Sequence, residues 1–137
     1  MKPWIQNVSM DDIIKGLHYD PGEDSVLIQI VDPGMSFPRP KYAFSEVYQF
    51  NFYDAEPNSP LQNKFTMSDA REIYEILQKS FDNSRNVTVH CIAGLCRSGA
   101  VAEFGVDFIG FTDTETFKLP NTLVRKFLIK VLQEQND

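Results

Sequence analysis

The segment of residues 87–99, VTVHCIAGLCRSG, constrains the fold more than any other part of the chain. It starts with β-branched residues, which predict a short buried strand over residues 86–90. Gly94 gives the next few residues the freedom to curl into a tight loop. A helix is expected to begin near Ser98. A strand, a curled loop and a helix start in this order can gather backbone N–H groups around one point, where an anion binds.

The rest of the chain alternates between strand and helix patterns. Strands are predicted over residues 25–31 and 46–54, in addition to residues 86–90. Helices are predicted over residues 10–17 after Ser9, over residues 69–81 after Thr66 or Ser68, over residues 98–109, and from Pro120 onward. This interleaving favours an α/β fold, with a small, mostly parallel central sheet flanked by helices, and one domain over residues 1–137.

Length and charge exclude several classes of protein. A chain of 137 residues suits one compact domain, and its net charge of -6 argues against a general nucleic-acid binder. We see no signal peptide and no apolar run long enough to cross a membrane, so we expect no membrane association. Two cysteines without an export signal favour a reducing cytoplasm. We expect a monomer without a cofactor. A metal is not expected either, because His18 has no Cys or His at ligand spacing.

Cys91 and Arg97 give the loop its chemistry. Helix N-termini and nearby cations favour the thiolate form of a cysteine, which is a strong nucleophile. Arg97 can hold two oxygens of a phosphate group with its planar guanidinium. A thiolate beneath a bound phosphate could attack the phosphorus and form a cysteinyl-phosphate, which water then hydrolyses. Ser98 could donate a hydrogen bond to the thiolate, and His90 could orient the loop through a ring N–H. Backbone N–H groups would complete the phosphate site at Ile92, Ala93, Gly94, Leu95, Cys96 and Arg97.

The string His90-Cys91-x-x-Gly94-x-x-Arg97-Ser98 resembles the signature loop of the cysteine-based protein tyrosine phosphatases. Every fixed position of that pattern is present. The short chain looks like the compact dual-specificity branch, and the resemblance spans roughly residues 25–132. It implies the fold of that superfamily and a phosphorylated protein as substrate. Phosphotyrosine is the first expectation, with phosphoserine or phosphothreonine as the alternative.

The resemblance also implies a general acid on a loop that follows a strand, a few tens of residues before the cysteine. Asp54 lies 37 residues before Cys91, at the end of the segment predicted as the second strand, and is our expected acid. Glu56 is the second choice. The larger tyrosine phosphatases carry Trp-Pro before this acid, whereas this chain has Phe52-Tyr53, which favours the dual-specificity-like group.

Two further residues gain a possible role from resemblance alone. Asn121 follows Pro120 in a pair similar to the Pro-Asn of dual-specificity phosphatases, which implies that it supports the signature loop from behind. Cys96 precedes Arg97 in a string similar to that of the low-molecular-weight phosphatases. It could form a disulfide with an oxidised Cys91, or it could be a small apolar residue that fills space.

Three other functions remain open for this loop. It could bind phosphate without turnover. It could belong to an arsenate reductase that uses Cys91 and Cys96 as a redox relay, or to a rhodanese-like sulfur transferase. The last is disfavoured because residues 92–96 contain no basic side chain.

Overall fold

In the computed structural model, which describes residues 2–136, five parallel strands form one sheet. The strands are β1 (Trp4–Ser9), β2 (Val26–Val31), β3 (Glu46–Asn51), β4 (Val87–Cys91) and β5 (Thr112–Asp113). Their order across the sheet is β3-β2-β4-β1-β5, and each neighbouring pair runs parallel. The expected α/β fold with a central parallel sheet is thereby confirmed.

Helices cover both faces of the sheet. They are α1 (Met10–Lys15), α2 (Met67–Asp82), α3 (Arg97–Phe104), which continues as a π-helical turn (Gly105–Ile109), and α4 (Thr122–Gln135). The main apolar core joins α2, α3 and α4 to one face of the sheet. A smaller cluster joins Ile13 of α1 and Phe44 to Val8 and Leu27 on the other face. No helix within residues 2–136 is long and apolar enough to cross a membrane.

Strand β1 was not expected from the sequence, although it is central to the sheet. It pairs in parallel with β4, from Ile5 opposite Val87 to Ser9 opposite Cys91. Its sequence is unusual for a buried strand, because two consecutive polar residues, Gln6 and Asn7, are buried in it. Gln6 meets its hydrogen-bonding needs inside the protein, donating from Nε2 to Thr88 Oγ1 at 2.9 Å and to the Tyr19 carbonyl at 3.0 Å. Long-range contacts, which local periodicity does not reveal, therefore stabilise this strand.

Three element boundaries differ from the expectations. Pro120 lies before the last helix rather than in its first turn, because Asn121 is the N-cap and accepts a hydrogen bond from Val124 N. Strand β3 ends at Asn51, so residues 52–54 belong to the loop that follows it. The segment 110–118, for which the sequence predicted neither a strand nor a helix, contributes the two residues of β5 at the sheet edge.

Replacing Leu77 by Ala tests the packing of α2 on the sheet. Leu77 is fully buried in the main core, so its truncation leaves a cavity and should cost about 2–5 kcal/mol of unfolding free energy. Urea denaturation measures this loss. Glu75→Ala, on the exposed side of the same helix, is the matched control and should cost less than about 0.5 kcal/mol. Equal effects of the two substitutions would contradict this packing.

Candidate active site

Three strand ends meet at one edge of the sheet and surround a cavity. In a parallel sheet, the loops after neighbouring strands lie at the same carboxyl edge, where ligands usually bind. Here the loops after β2, β3 and β4 enclose about 330 Å³. The cavity is lined by Asp32, Tyr53, Asp54, Leu61, Cys91, Ile92, Ala93, Cys96 and Arg97. The structure thus brings the predicted nucleophile, acid and arginine together around one space.

The loop after β4 turns its carbonyl groups toward the protein. Four of its carbonyl oxygens accept hydrogen bonds of 2.8–3.1 Å: Ile92 from Met10 N, Gly94 from Asn7 Nδ2, Leu95 from Leu119 N, and Cys96 from Ala100 N and Asn121 N. The N–H groups of residues 92–97, in contrast, donate to no acceptor within residues 2–136. A loop held by its carbonyls, with its N–H groups unused, has the form of a backbone anion site.

Gly94 is required because the loop passes directly over the end of β1. Its φ is +77°, and a Cβ at this position would lie 2.5 Å from Ser9 N and from the Val8 carbonyl carbon. Backbone atoms cannot yield as a flexible side chain can. Asn7 holds the loop from the same side, donating from Nδ2 to the Gly94 carbonyl at 2.8 Å and to the Phe117 carbonyl at 3.0 Å. Asn7 was not predicted as a site residue, because a polar residue in an N-terminal segment without an apolar pattern carries no local signal of such a role.

Cys91 is the last residue of β4 and is buried at the base of the cavity. Its Sγ lies 3.1 Å from Ser98 Oγ, which is within hydrogen-bonding distance for a sulfur and a hydroxyl. Ser98 is itself fully buried in the first turn of α3. The hydroxyl can therefore donate to a thiolate at Cys91, as the sequence suggested.

Arg97 begins α3 and is buried, with its guanidinium directed at the ends of two other strands. Its Nη1 donates to Asp32 Oδ1 at 2.7 Å and to the Phe52 carbonyl at 2.7 Å. Asp32 directly follows β2, and Phe52 directly follows β3. Asp32 was not among the expected site residues. An available signal was that it follows a buried strand, just as Cys91 ends one.

Asp54 lies in the loop after β3 and lines the cavity. Asn121, the N-cap residue of α4, holds it in place. Asn121 Nδ2 donates to Asp54 Oδ1 at 2.6 Å and to the Ala55 carbonyl at 3.2 Å. The backbone N–H of Asn121 also donates to the Cys96 carbonyl at 2.9 Å. The backbone of Asn121 therefore contacts the signature loop, and its side chain holds the loop of Asp54. The supporting role that the resemblance implied for Asn121 stays a prediction. Glu56 is not among the cavity-lining residues and accepts a hydrogen bond from Thr122 Oγ1 at 2.8 Å.

Cys96 is half-buried in the wall of the same cavity. Burial raises the pKa of its thiol, and the negative charge of Asp54 raises it further. These surroundings favour the neutral thiol at Cys96. Both cysteines are free thiols in the structure. The disulfide between Cys91 and Cys96 stays a prediction.

His90 is fully buried beside the loop, on β4. Burial is the main cause that lowers its pKa to about 4, and the positive charge of Arg97 contributes to the lowering. The imidazole is therefore neutral near pH 7, and its Nδ1 lies 3.4 Å from the Cys91 carbonyl oxygen. A neutral ring that carries its proton on Nδ1 would donate to this carbonyl, which fits the orienting role expected of His90.

Positive charge in the cavity comes from one side chain. Arg97 is the only cation among the residues that line it, and the acidic residues Asp32 and Asp54 line the same cavity. Across residues 2–136, no group of three or more His, Cys, Asp or Glu side chains is arranged to hold a metal ion. A bound anion would therefore meet Arg97 and the unused N–H groups of the loop.

Comparisons with known proteins find similar solved structures but no similar sequence. No protein-family model matches the chain, and a sequence search of curated proteins finds no match. Among solved structures, the chain is similar to OH1 from the Orf virus, described as a tyrosine phosphatase with triple substrate specificity. The match has a TM-score of 0.48 and 16% sequence identity, and covers 97% of this chain and 71% of that chain. The chemistry proposed for the site therefore rests on its own residues.

Substituting Gly94 by Ala tests the close approach of the loop to β1. Gly22→Ala is the matched control, because Gly22 also has a positive φ, +85°, but a Cβ there meets nothing within 4 Å. Gly22→Ala should cost only the backbone strain of about 1–2 kcal/mol. Gly94→Ala adds a clash with backbone atoms and should lower the unfolding free energy by clearly more. Thermal or urea unfolding of both variants measures the difference, and equal losses would contradict the contact.

The buried His90 should make the protein less stable in mild acid. Because its pKa in the folded protein lies below the ordinary value of 6.5, the unfolded chain takes up a proton before the folded protein does. The stabilisation that this pKa difference gives to the folded protein is complete above about pH 6.5. It is lost as the pH falls toward 4, and the loss of unfolding free energy reaches at most about 3 kcal/mol. Urea unfolding of the wild type and His90→Gln from pH 7 to pH 4 measures this loss of unfolding free energy. Parallel stability curves for the two proteins would contradict the prediction.

Proposed function

We propose that the protein is a metal-independent phosphatase that hydrolyses phosphomonoesters through a cysteinyl-phosphate on Cys91. The leading substrate is phosphotyrosine in a protein, with phosphoserine or phosphothreonine as the second choice. One observation carries the proposal: the thiol of Cys91, the guanidinium of Arg97, the carboxylate of Asp54 and a loop with unused N–H groups all border one cavity.

Phosphate binding would use the loop and Arg97 together. The N–H groups of residues 92–97 would donate to the phosphate oxygens, and Arg97 would add a cation. Because Cys91 ends β4 at the base of the cavity, its sulfur would lie beneath the phosphorus. The same donors would stabilise the charge on the oxygens as the bond to the leaving group breaks.

The reaction would proceed in two displacements. The Cys91 thiolate attacks the phosphorus, a P–S bond forms, and the P–O bond to the leaving group breaks. Asp54 donates its proton to the departing oxygen. Asp54 then takes a proton from water, whose oxygen attacks the phosphorus and breaks the P–S bond. Ser98, 3.1 Å from the sulfur, would stabilise the thiolate as it leaves, and inorganic phosphate is released.

The contact between Asn121 and Asp54 fits the role of a general acid. The amide of Asn121 donates to Oδ1 of Asp54, which directs that oxygen toward α4. The second carboxyl oxygen is then available to carry the transferable proton. Asn121 would thus be a positioning residue for the acid, held in turn by its hydrogen bond with Val124 N at the start of α4.

The walls of the cavity support an aromatic leaving group. Tyr53, Leu61 and Ile92 border the cavity beside the phosphate site and could pack against a ring. Phosphates of RNA and of phosphoinositides would be less favoured, because the chain carries a net charge of -6. A phosphorylated protein therefore remains the proposed substrate.

Hydrolysis of para-nitrophenyl phosphate in the presence of EDTA tests the proposal. The wild type should turn over and be inhibited by vanadate. Cys91→Ser should lose all turnover, because a hydroxyl does not replace the thiolate as nucleophile. Asp54→Asn should reduce turnover by about 10²–10⁴-fold, because the amide cannot protonate the leaving oxygen. Asp107→Asn, at an exposed acid of the π-helical turn, is the control and should leave turnover unchanged.

Each alternative function predicts a different outcome, either in this assay or in a parallel assay with arsenate or thiosulfate as the substrate. Full activity in Cys91→Ser would refute the mechanism. A wild type that binds oxyanions without turnover would be a phosphate-binding module instead. Reduction of arsenate, or sulfur transfer from thiosulfate, would support the reductase or the sulfur transferase.

A further inference from the structure

Another cavity, of about 390 Å³, lies beside β1 and the segment that follows α1. It shares no lining residue with the cavity around Cys91. Its wall includes Asp12 of α1 and the large apolar side chains of Leu17 and Tyr19. Leu17 and Tyr19 are both more than half exposed, so a ligand in this cavity would remove apolar surface from water.

Asn7 lines this cavity and has a side-chain oxygen without a partner. The residue is 1% exposed, and its Oδ1 accepts no hydrogen bond within residues 2–136. Its Nδ2 donates to the carbonyls of Gly94 and Phe117, so turning the amide over would place oxygen against oxygen. Oδ1 is therefore fixed as a buried acceptor that lacks a donor, which is costly in a protein interior.

The imidazole of His18 supplies a second acceptor in the same wall. Its Nδ1 lies 2.9 Å from the Tyr19 carbonyl oxygen, which needs a donor, so the neutral ring carries its proton on Nδ1. Gln6 Nε2, 3.4 Å from the same nitrogen, already donates to Thr88 Oγ1 and to the Tyr19 carbonyl. Nε2 of His18 is then an acceptor, and it is buried without a partner within residues 2–136.

Asp12 adds a negative charge to this wall. Lys15, the basic residue of α1, pairs with Asp11 at 3.0 Å, and Asp12 pairs with no basic side chain within residues 2–136. The wall thus offers an amide oxygen, an imidazole nitrogen and a carboxylate, all of which accept hydrogen bonds. A primary ammonium matches them, because it carries three N–H donors and a positive charge.

We propose that this cavity binds a small primary amine that carries an apolar group. Its ammonium would donate to Asn7 Oδ1, His18 Nε2 and the Asp12 carboxylate. The apolar group would cover Leu17 and Tyr19, whose exposed side chains would turn to admit the ammonium to the two buried acceptors. Binding of the amine does not depend on the proposed phosphatase chemistry.

Asn7 connects this site to the signature loop. Its Nδ2 donates to the Gly94 carbonyl at 2.8 Å, and Oδ1 belongs to the same amide. A donor at Oδ1 polarises the amide and strengthens the hydrogen bonds that Nδ2 donates. The peptide group that holds the Gly94 carbonyl also holds the N–H of Leu95, so the NMR signal of this N–H should report the amine.

Titration of the isotope-labelled protein with phenethylamine, followed by NMR, tests the site. The amide signals of Asn7, His18 and Tyr19 should move along one saturation curve in the millimolar range, and the Leu95 signal should follow the same curve. Phenethyl alcohol, in which a hydroxyl replaces the ammonium, should bind at least about 10-fold more weakly, because hydrogen bonds to a charged group are the stronger ones.

Three variants separate recognition of the ammonium from effects on folding. Asp12→Asn keeps the size of the side chain, removes its charge and should weaken phenethylamine binding by about 10-fold. His18→Phe keeps a ring against Tyr42, at a centroid distance of 5.2 Å, but removes the Nε2 acceptor and should also weaken binding. Asp11→Asn is the control and should bind as the wild type does, because it removes a charge from the same turn of α1 but lies outside the cavity.

Each result bears on one part of the proposal. Equal affinity for phenethylamine and phenethyl alcohol would overturn recognition of an ammonium, and so would unchanged binding in Asp12→Asn. Shifts confined to residues around Cys91, or no shifts at all, would overturn the site. Shifts at His18 and Tyr19 without one at Leu95 would overturn its connection to the signature loop. None of these measurements needs turnover, so a failure of the proposed phosphatase activity would be seen separately.

Discussion

The orientation of one short loop determines what this site can do. Residues 92–97 are held by their carbonyl oxygens, so their N–H groups are left for an anion. That orientation depends on the contact of Gly94 with the end of β1, where no side chain fits. It depends as well on Asn7, which donates to the Gly94 carbonyl, and on Asn121, whose backbone donates to the Cys96 carbonyl. A parallel sheet supplies the frame, because it brings the ends of its strands to one edge.

Polar side chains connect that loop to the other strand ends. Arg97 reaches the residues that follow β2 and β3, and Asn121 joins the loop of Asp54 to the start of α4. These contacts are made by residues far apart in the chain but close at the sheet edge. They therefore connect the loops that follow β2, β3 and β4 to one another.

The sequence predicted the parts of this arrangement that have local signals. The strand of residues 86–90, the glycine of the curled loop and the helix that starts beside Ser98 all follow from residue type and spacing. The buried strand β1 was missed, because Gln6 and Asn7 interrupt the apolar pattern, and the hydrogen bonds that their side-chain amides donate go to residues far away in the chain. Asp32 was missed for a related reason: its pairing with Arg97 depends on the order of β2 and β4 in the sheet, which no local pattern encodes.

The central claim is a covalent bond between Cys91 and phosphate, and trapping that bond tests it most directly. Wild-type protein would be mixed with para-nitrophenyl phosphate, quenched in acid within milliseconds and digested for mass spectrometry. The account predicts one added phosphoryl group on the peptide that contains Cys91, in the wild type and, formed more slowly, in Asp54→Asn. Product release with no phosphoryl group on Cys91 at any quench time, in either protein, would contradict the account.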